Sequence, residues 1–116
     1  GGLLVVVSAA LAALGFRGRD QVVGIDLGTT FSVVAIKSGN KVTVVPDHVT
    51  GKLLLPSVVT YHPNGTTLVG DVAVALRGEL PLQTIFNAKR FIGRPFDEVA
   101  DDAALHPYRV VPGRRQ

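Results

Sequence analysis

The chain has 116 residues, enough for one modest domain, and its 47% apolar and 18% charged content excludes an intrinsically disordered protein. Its net charge of +3 comes from basic residues that are spread thinly and are not interleaved with aromatic ones, so we expect no nucleic-acid partner. The absence of cysteine excludes disulfides and thiolate metal sites.

Residues 1–20 form the first predicted element, an apolar segment that carries no charge before Arg17-Gly18-Arg19-Asp20. Ala10-Leu11-Ala12 and Ala13-Leu14-Gly15 both have the small-residue spacing of a signal-peptide cleavage site. The run is shorter than the roughly 20 residues that span a bilayer comfortably. We therefore predict a secretory signal peptide or an uncleaved signal anchor, with a buried core helix as the alternative. The chain begins Gly-Gly and has no methionine, so we expect its natural start to lie upstream.

Residues 22–32 form the next element, with the sequence Val-Val-Gly-Ile-Asp-Leu-Gly-Thr-Thr-Phe-Ser. The apolar run predicts a buried strand with one carboxylate, Asp26, near its end, and a buried charge is costly without a partner. Gly28 and the hydroxyls of Thr29 and Thr30 follow, which favours a turn that cradles phosphate. Because Mg²⁺ prefers one or two carboxylates plus phosphates, Asp26 is a candidate to hold Mg²⁺ through water. A β-hairpin with a polar tight turn explains the same residues without any ligand, and the motif alone leaves both open.

The residues after this turn predict further antiparallel hairpins. Strands over Phe31–Lys37 and Val42–Val45, joined by a turn at residues 38–41, complete a three-stranded meander with the first strand. Residues 46–52 form a loop. A second hairpin follows, with strands over Val58–Tyr61 and Thr67–Val69 and a Pro-Asn-Gly turn between them.

The last third of the chain predicts short helices. Gly70-Asp71 begins a helix that runs through Arg77, and Thr84–Ile92 is a second helical candidate that Gly93 ends. A third helix is expected over Asp97–Ala104, with acidic residues at its start. Tyr108–Val111, between two prolines, predicts a final strand.

The segment Asn87-Ala88-Lys89-Arg90-Phe91-Ile92-Gly93 carries two adjacent cations. Such a pair usually lies on a solvated helix surface, but a lysine ammonium is also able to reach a phosphate. Spacing alone does not choose between these interpretations. The three histidines, His48, His62 and His106, share no metal-ligand spacing, and we expect all three at the surface.

Two separated motifs together resemble the seventy-kilodalton heat-shock chaperone family. Gly24-Ile25-Asp26-Leu27-Gly28-Thr29-Thr30-Phe31-Ser32 resembles that family's first phosphate loop, and residues 87–93 resemble its Asp-Ala-Lys-Arg segment. Leu55-Pro56-Ser57-Val58-Val59 and Leu68-Val69-Gly70-Asp71-Val72-Ala73 fit in order between them, so the resemblance extends from Val22 to about Val111. Within the family, the closest similarity is to the microsomal ATPase-core branch, with the lumenal binding-protein branch next. It rests on the apolar leader, Val45-Pro46-Asp47, and Arg90-Phe91-Ile92-Gly93 with His106-Pro107-Tyr108.

The resemblance implies an α/β fold of the actin-like ATPase (ribonuclease H-like) type. Residues 21–116 would be the first part of its first lobe, an incomplete domain with a mixed sheet, β-hairpins and short helices. ATP or ADP with Mg²⁺ would be the cofactors. Asp26 would lie by the Mg²⁺ and its waters, and Gly28, Thr29, Thr30 and Phe31 would line the phosphates. Lys89, together with Thr29, would act at the γ-phosphate and the attacking water, and Arg90 would support that wall.

Two departures from the family pattern limit this expectation. Asn87 stands where the family usually has Asp, which removes a charge beside Lys89. The family's ATPase domain is also several times longer, so we expect no ATP turnover from this polypeptide alone. The alternatives are a non-catalytic interaction module, and an actin or sugar-kinase relative that shares only the first loop. The leader implies the endoplasmic reticulum lumen, a microsome or secretion, and in a full-length relative the partners would be co-chaperones and client proteins.

Overall fold

The computed structural model describes residues 2–13 and 21–114. Its first element is helix α1, Gly2–Ala13, which falls within the predicted leader and has exposed apolar side chains such as Leu3 and Val5. The second of the two possible cleavage sites and the charged end of the leader lie largely outside the described residues. Among the described helices, none has the length and apolar character needed to cross a membrane.

The first sheet is the predicted antiparallel meander, built from β1 (Gln21–Leu27), β2 (Phe31–Ser38) and β3 (Lys41–Val44). Leu27 pairs with Ser32 at one end of the first hairpin and Gln21 pairs with Ser38 at the other. A short strand that the sequence did not predict, β4 (Leu55–Pro56), pairs with the start of β2. Every pairing among the described strands is antiparallel.

The second sheet places β5 (Val59–Tyr61) between β6 (Thr67–Val69) and β7 (Thr84–Ile85). The β5–β6 hairpin was predicted, and its turn contains Gly65 at a φ of 90°, a conformation that glycine adopts readily. Helix α2, Asp71–Ala75, begins as expected and is shorter than predicted. Helix α3, Phe96–Ala104, starts one residue earlier than predicted and presents Asp97 and Glu98 in its first turn.

The predicted helix over Thr84–Ile92 is wrong. Thr84 and Ile85 form β7, and a single 3₁₀ turn, Ala88–Arg90, follows after Asn87. Thr84 is fully buried, and its hydroxyl contacts that of Thr60 at 2.8 Å across the sheet, so tertiary contacts outweigh the local helical tendency. Asn87, in the left-handed region at a φ of 57°, interrupts any continuous helix there.

The predicted last strand, Tyr108–Val111, does not form either, because the segment has no strand partner in the described part of the chain. Tyr108 is instead buried, and its hydroxyl donates to the carbonyl of Phe86. Apart from Pro56 in β4, the buried residues of the described chain lie in or beside the second sheet, in α3 and just after it: Val58, Thr60, Gly70, Ala73, Thr84, Val99, Ala103 and Tyr108.

Strand β1 was expected to be buried, and that expectation is wrong for the described chain. All seven of its residues are exposed, including Ile25 at 69% and Leu27 at 58% of their full accessibility. No described element covers the outer edge of β1 or either of its faces closely enough to bury them. The apolar pattern of β1 is typical of a buried strand, but its residues are exposed in the described chain.

Candidate functional site

The site begins at the Gly28–Thr30 turn between β1 and β2. The N–H of Gly28 donates to the carbonyl of Phe31 at 3.0 Å, which closes the hairpin. A Cβ on residue 28 would lie 2.3 Å from that same carbonyl oxygen, so only glycine fits this close approach. Gly28 and Thr29 are half-buried and Thr30 is exposed, which leaves the turn open to a ligand.

Ser57, directly after β4, fixes the shape of this turn. Its hydroxyl donates to the carbonyl of Gly28 at 2.8 Å and contacts the hydroxyl of Ser32 at 2.8 Å. Its backbone N–H donates to the carbonyl of Thr30 at 2.9 Å. The sequence analysis included Ser57 only in a matching segment and assigned it no role. A serine directly after a Leu-Pro pair carries no signal by itself, because the partner lies 29 positions away.

A hollow of about 460 Å³ lies between the two sheets, beside the turn. Gly28, Thr29 and Lys89 all border it, so the structure brings together three of the residues that the sequence predicted for one site. Ser57 borders it as well. Most of the remaining wall is apolar and includes Ile25, Leu27, Val34, Val59, Ile85 and Ile92. A phosphate would therefore find its polar contacts at the turn and at Lys89.

Asp26 does not border this hollow. It pairs with Val33, and side chains alternate across a strand, so Asp26 lies on the opposite face of the sheet from Ile25 and Leu27. There it borders a shallow depression with Gly24, Val33 and Ala35. Asp26 and Lys89, which the resemblance assigns to the same nucleotide, therefore do not border one hollow in this structure, because the side chains of neighbouring residues in β1 point to opposite faces of the sheet.

Lys89 sits on the 3₁₀ turn Ala88–Arg90, hereafter the Lys89 turn. The N–H of Arg90 donates to the carbonyl of Asn87 at 2.9 Å, and that of Phe91 donates to Ala88 at 3.0 Å. Lys89 and Arg90 are both exposed. Neither Arg90 nor Phe31 borders the hollow, whereas the carbonyl of Arg90 accepts from Nη1 of Arg94 at 3.1 Å.

The donor set suits a phosphate group with Mg²⁺ better than a bare metal ion. Within residues 2–13 and 21–114, no group of three or more acidic or histidine side chains is placed to hold a metal. Mg²⁺ usually keeps several waters and takes one or two carboxylates plus phosphate oxygens. Asp26 supplies one exposed carboxylate, one residue before the end of β1, and this is compatible with that arrangement.

The expected surface position of the histidines is confirmed only for His48, which is exposed. His62 is half-buried and its Nδ1 accepts from the N–H of Asn64 at 3.2 Å. His106 is half-buried between aromatic rings, with hydrogen bonds from both ring nitrogens. For His106, the neighbouring Pro107 suggested a loop position. The contacts that bury its ring come from residues distant in sequence, so they leave no signal in the local sequence.

Comparison with known proteins decides the family. Residues 22–116 match the family model described as Hsp70 protein. The chain belongs to the Hsp70 family. Since the match includes the Lys89 turn as well as the first loop, it decides against an actin or sugar-kinase relative. The α/β fold with hairpins and short helices is that of the N-terminal region of Hsp70 proteins, in the first lobe of the actin-like ATPase.

Chaperone proteins from several organisms are similar to the chain. Chaperone protein DnaK of Thermus thermophilus is 50% identical over 93 residues, which cover 80% of this chain and 15% of that protein. Chaperone protein dnaK of Cyanophora paradoxa is 48% identical over 90 residues, 78% of this chain and 14% of that protein. That of Cyanidioschyzon merolae is 48% identical over 90 residues, 78% of this chain and 15% of that protein. The chain thus spans about a seventh of the length of these relatives.

Proposed function

We propose that this chain supplies the phosphate-binding wall of an Hsp70-type ATPase. The observation that carries the proposal is the hollow bordered jointly by Gly28, Thr29 and Lys89. Lys89 lies 60 positions after Thr29 in the sequence, and both of their segments lie within the family match. A triphosphate would lie over the Gly28–Thr30 turn, where the backbone N–H groups and the hydroxyls of Thr29 and Thr30 would act as donors.

Lys89 has the chemistry required at the far end of that triphosphate. Phosphoryl transfer depends on positioning and on neutralising charge, and an ammonium at the γ-phosphate does both. Thr29 is close enough to the same hollow to orient the terminal phosphate or the attacking water. Arg90, the next residue, does not border the hollow and would support the Lys89 turn from outside it.

Asp26 would hold Mg²⁺ through water from the other side of the turn. Asp26 lies one residue before the end of β1 and on the opposite face of the sheet from the hollow that Lys89 borders. The carboxylate and the ammonium would then reach the phosphates from two sides of the turn. When bound, Mg²⁺ neutralises phosphate charge. In this arrangement the phosphates lie across the end of the hairpin, and the apolar part of the hollow is left to protein contacts.

A titration with magnesium tripolyphosphate tests this placement. In ¹H–¹⁵N NMR spectra of the chain, we expect the largest shifts at the amides of Gly28, Thr29 and Thr30 and at Lys89. Lys89→Ala weakens the response, whereas Lys41→Ala, at an exposed position of β3, leaves it unchanged. Shifts confined to other residues, or an equal response from both variants, would contradict the proposal.

The chain alone is expected to bind phosphate without turning ATP over. The turn and Lys89 border one side of its hollow, and the remaining wall offers few polar groups. A radiolabelled-ATP assay of the purified chain is therefore expected to show no release of phosphate above the buffer rate. Turnover that disappears in Lys89→Ala would show that the described residues suffice for catalysis.

The cellular setting is proposed from the leader. Residues 1–20 would direct the chain to the endoplasmic reticulum, as a microsomal or secreted member of the family, and would be its only contact with a membrane. The apolar helix α1 supports this, since Gly2–Ala13 carries no charge. Co-chaperones and client proteins would be partners of the full-length protein. Translation with microsomes, followed by protease treatment, is expected to leave the chain protected, and replacement of Val5 and Val6 by aspartate is expected to abolish protection.

A further inference from the structure

The Lys89 turn is tied to the end of helix α3 by a side-chain pair that the proposed phosphate chemistry does not use. Nδ2 of Asn87 lies 3.1 Å from Nε2 of His106. Nδ1 of His106 lies 2.8 Å from the carbonyl oxygen of Asp102, in the last turns of α3. The two contacts together form a continuous bridge from α3 to the residue that begins the Lys89 turn.

The proton positions of this bridge follow from its partners. A carbonyl oxygen only accepts, so Nδ1 of His106 must carry the hydrogen that it donates to Asp102. In a neutral ring Nε2 is then a bare acceptor, and it receives a hydrogen from the amide of Asn87. The bridge thus specifies one tautomer of His106 and one orientation of the Asn87 amide.

The imidazole is held in place by the aromatic rings around it. Phe86 lies 5.2 Å from it, Phe91 5.1 Å and Tyr108 5.2 Å, measured between ring centroids. Because Phe86 and Phe91 flank the Lys89 turn in sequence, the ring packs against both ends of that turn. A ring fixed in this way presents Nε2 to Asn87 in one direction.

Asn87 is the point at which this bridge acts on the backbone. Its φ of 57° lies in the left-handed region, which is unfavourable for most residues and is tolerated best by glycine and asparagine. Its carbonyl accepts the first hydrogen bond of the turn, from the N–H of Arg90. Holding the Asn87 side chain therefore holds the start of the turn, and with it the direction of Lys89, two residues later.

We propose that Asn87 and His106 are positioning residues that set the Lys89 turn through their side-chain hydrogen bond. The role of Lys89 toward phosphate rests on the proposed function, but the latch itself, meaning the Asn87–His106–Asp102 bridge, does not. Neither residue borders the hollow, so neither contacts the ligand directly. Both act through the turn.

The latch is tested by ¹⁵N NMR of the His106 ring in the full chain. In the neutral ring, we expect a protonated Nδ1 and a bare Nε2. Asn87→Gly keeps the left-handed backbone but removes the amide, and is expected to shift the Nε2 resonance. The opposite tautomer in the unmodified chain, or an unchanged Nε2 resonance in the variant, would overturn the proposal.

Hydrogen exchange measures the effect on the turn. His106→Phe keeps an aromatic ring but loses both hydrogen bonds, and we expect the amides of Arg90 and Phe91 to exchange about fivefold faster. His48→Phe, at an exposed loop position, serves as the control and leaves both amides unchanged. Equal exchange in the two variants would show that the bridge does not hold the turn.

A double-mutant cycle separates positioning from a general loss of structure. We expect His106→Phe to raise the Kd for magnesium tripolyphosphate about fivefold in the unmodified background, and to have no further effect when Lys89 is alanine. An equal increase in both backgrounds would refute action through Lys89. If the unmodified chain does not respond to tripolyphosphate while the ring and exchange results hold, the proposed function fails and the latch stands.

Discussion

Gly28 shows how one residue determines the geometry of the candidate site. Its N–H and the carbonyl of Phe31 close the β1–β2 hairpin at 3.0 Å, and the same closeness leaves no room for a side chain. The first-loop motif suggested glycine for access to phosphate. The structure adds a second reason, because the hairpin itself requires that residue 28 has no Cβ.

Replacement of Gly28 by alanine is therefore expected to destabilise the chain. A methyl group 2.3 Å from a backbone oxygen forces the hairpin apart, and overpacking of this kind costs about 1–3 kcal/mol in the free energy of unfolding. Urea unfolding measures the difference. Gly24→Ala is the matched control on the same strand, since its Cβ would lie 4.0 Å from the nearest atom, the carbonyl of Ala35. Equal stability of the two variants would contradict the account.

At the scale of elements, β4 and Ser57 form a strap across the end of the first hairpin, at the Gly28–Thr30 turn. Pro56 pairs with Phe31, and Ser57 reaches back to Gly28, Thr30 and Ser32. The strap thereby connects the second sheet, which starts two residues later, to the turn that would hold the phosphates. Movement of one sheet relative to the other would change the shape of the turn.

Ser57→Ala is expected to loosen the turn without unfolding either sheet. It removes two side-chain hydrogen bonds and keeps the backbone bond to Thr30, so the loss is about 1 kcal/mol in the stability of the turn. The amide of Gly28 should then exchange faster by about fivefold. Ser38→Ala, at the far end of β2, provides the control. Unchanged exchange at Gly28 would show that the strap is not needed.

The segment after α3 is held in place by the buried phenol of Tyr108. The free energy of unfolding of the chain should therefore depend on pH. Burial raises the pKa of Tyr108, so the folded state holds the proton more tightly than the unfolded chain does. Its contribution is therefore fully present below about pH 10 and is lost as the pH rises through the folded-state pKa. Urea unfolding at alkaline pH is expected to show this loss, and Tyr108→Phe to remove it. Tyr61→Phe, at an exposed position, should leave the alkaline slope unchanged.

Short elements also show where sequence-based prediction succeeds. The two hairpins and α3 were predicted because glycine turns, alternating apolar residues and acidic helix starts are local signals. The helix over Thr84–Ile92 was wrong because its outcome depends on Thr60, 24 positions away, and on the conformation of Asn87. Ser57, β4 and His106 were missed for the same reason, since each is defined by contacts that are distant in sequence.

At the scale of the whole molecule, the candidate site is the hollow between the two sheets, beside the Gly28–Thr30 turn. The sequence predicted its residues through resemblance to the Hsp70 family, and the structure brings Gly28, Thr29 and Lys89 to one hollow. It places Asp26 on the other face of β1, which the sequence pattern itself required, since Asp26 alternates with Ile25 and Leu27. The apolar faces of β1 are exposed in a chain that spans about a seventh of the length of its relatives.

The most direct test of the central claim uses a chimera in which this chain replaces the matching segment of Thermus thermophilus DnaK, to which it is 50% identical over 93 residues. ATP turnover by the purified chimera is the quantity measured. If the chain supplies the phosphate-binding wall, the chimera hydrolyses ATP, Lys89→Ala lowers kcat by about 10²- to 10³-fold, and Lys41→Ala leaves it unchanged. An active chimera in which Lys89→Ala turns ATP over as fast as the parent would contradict the account.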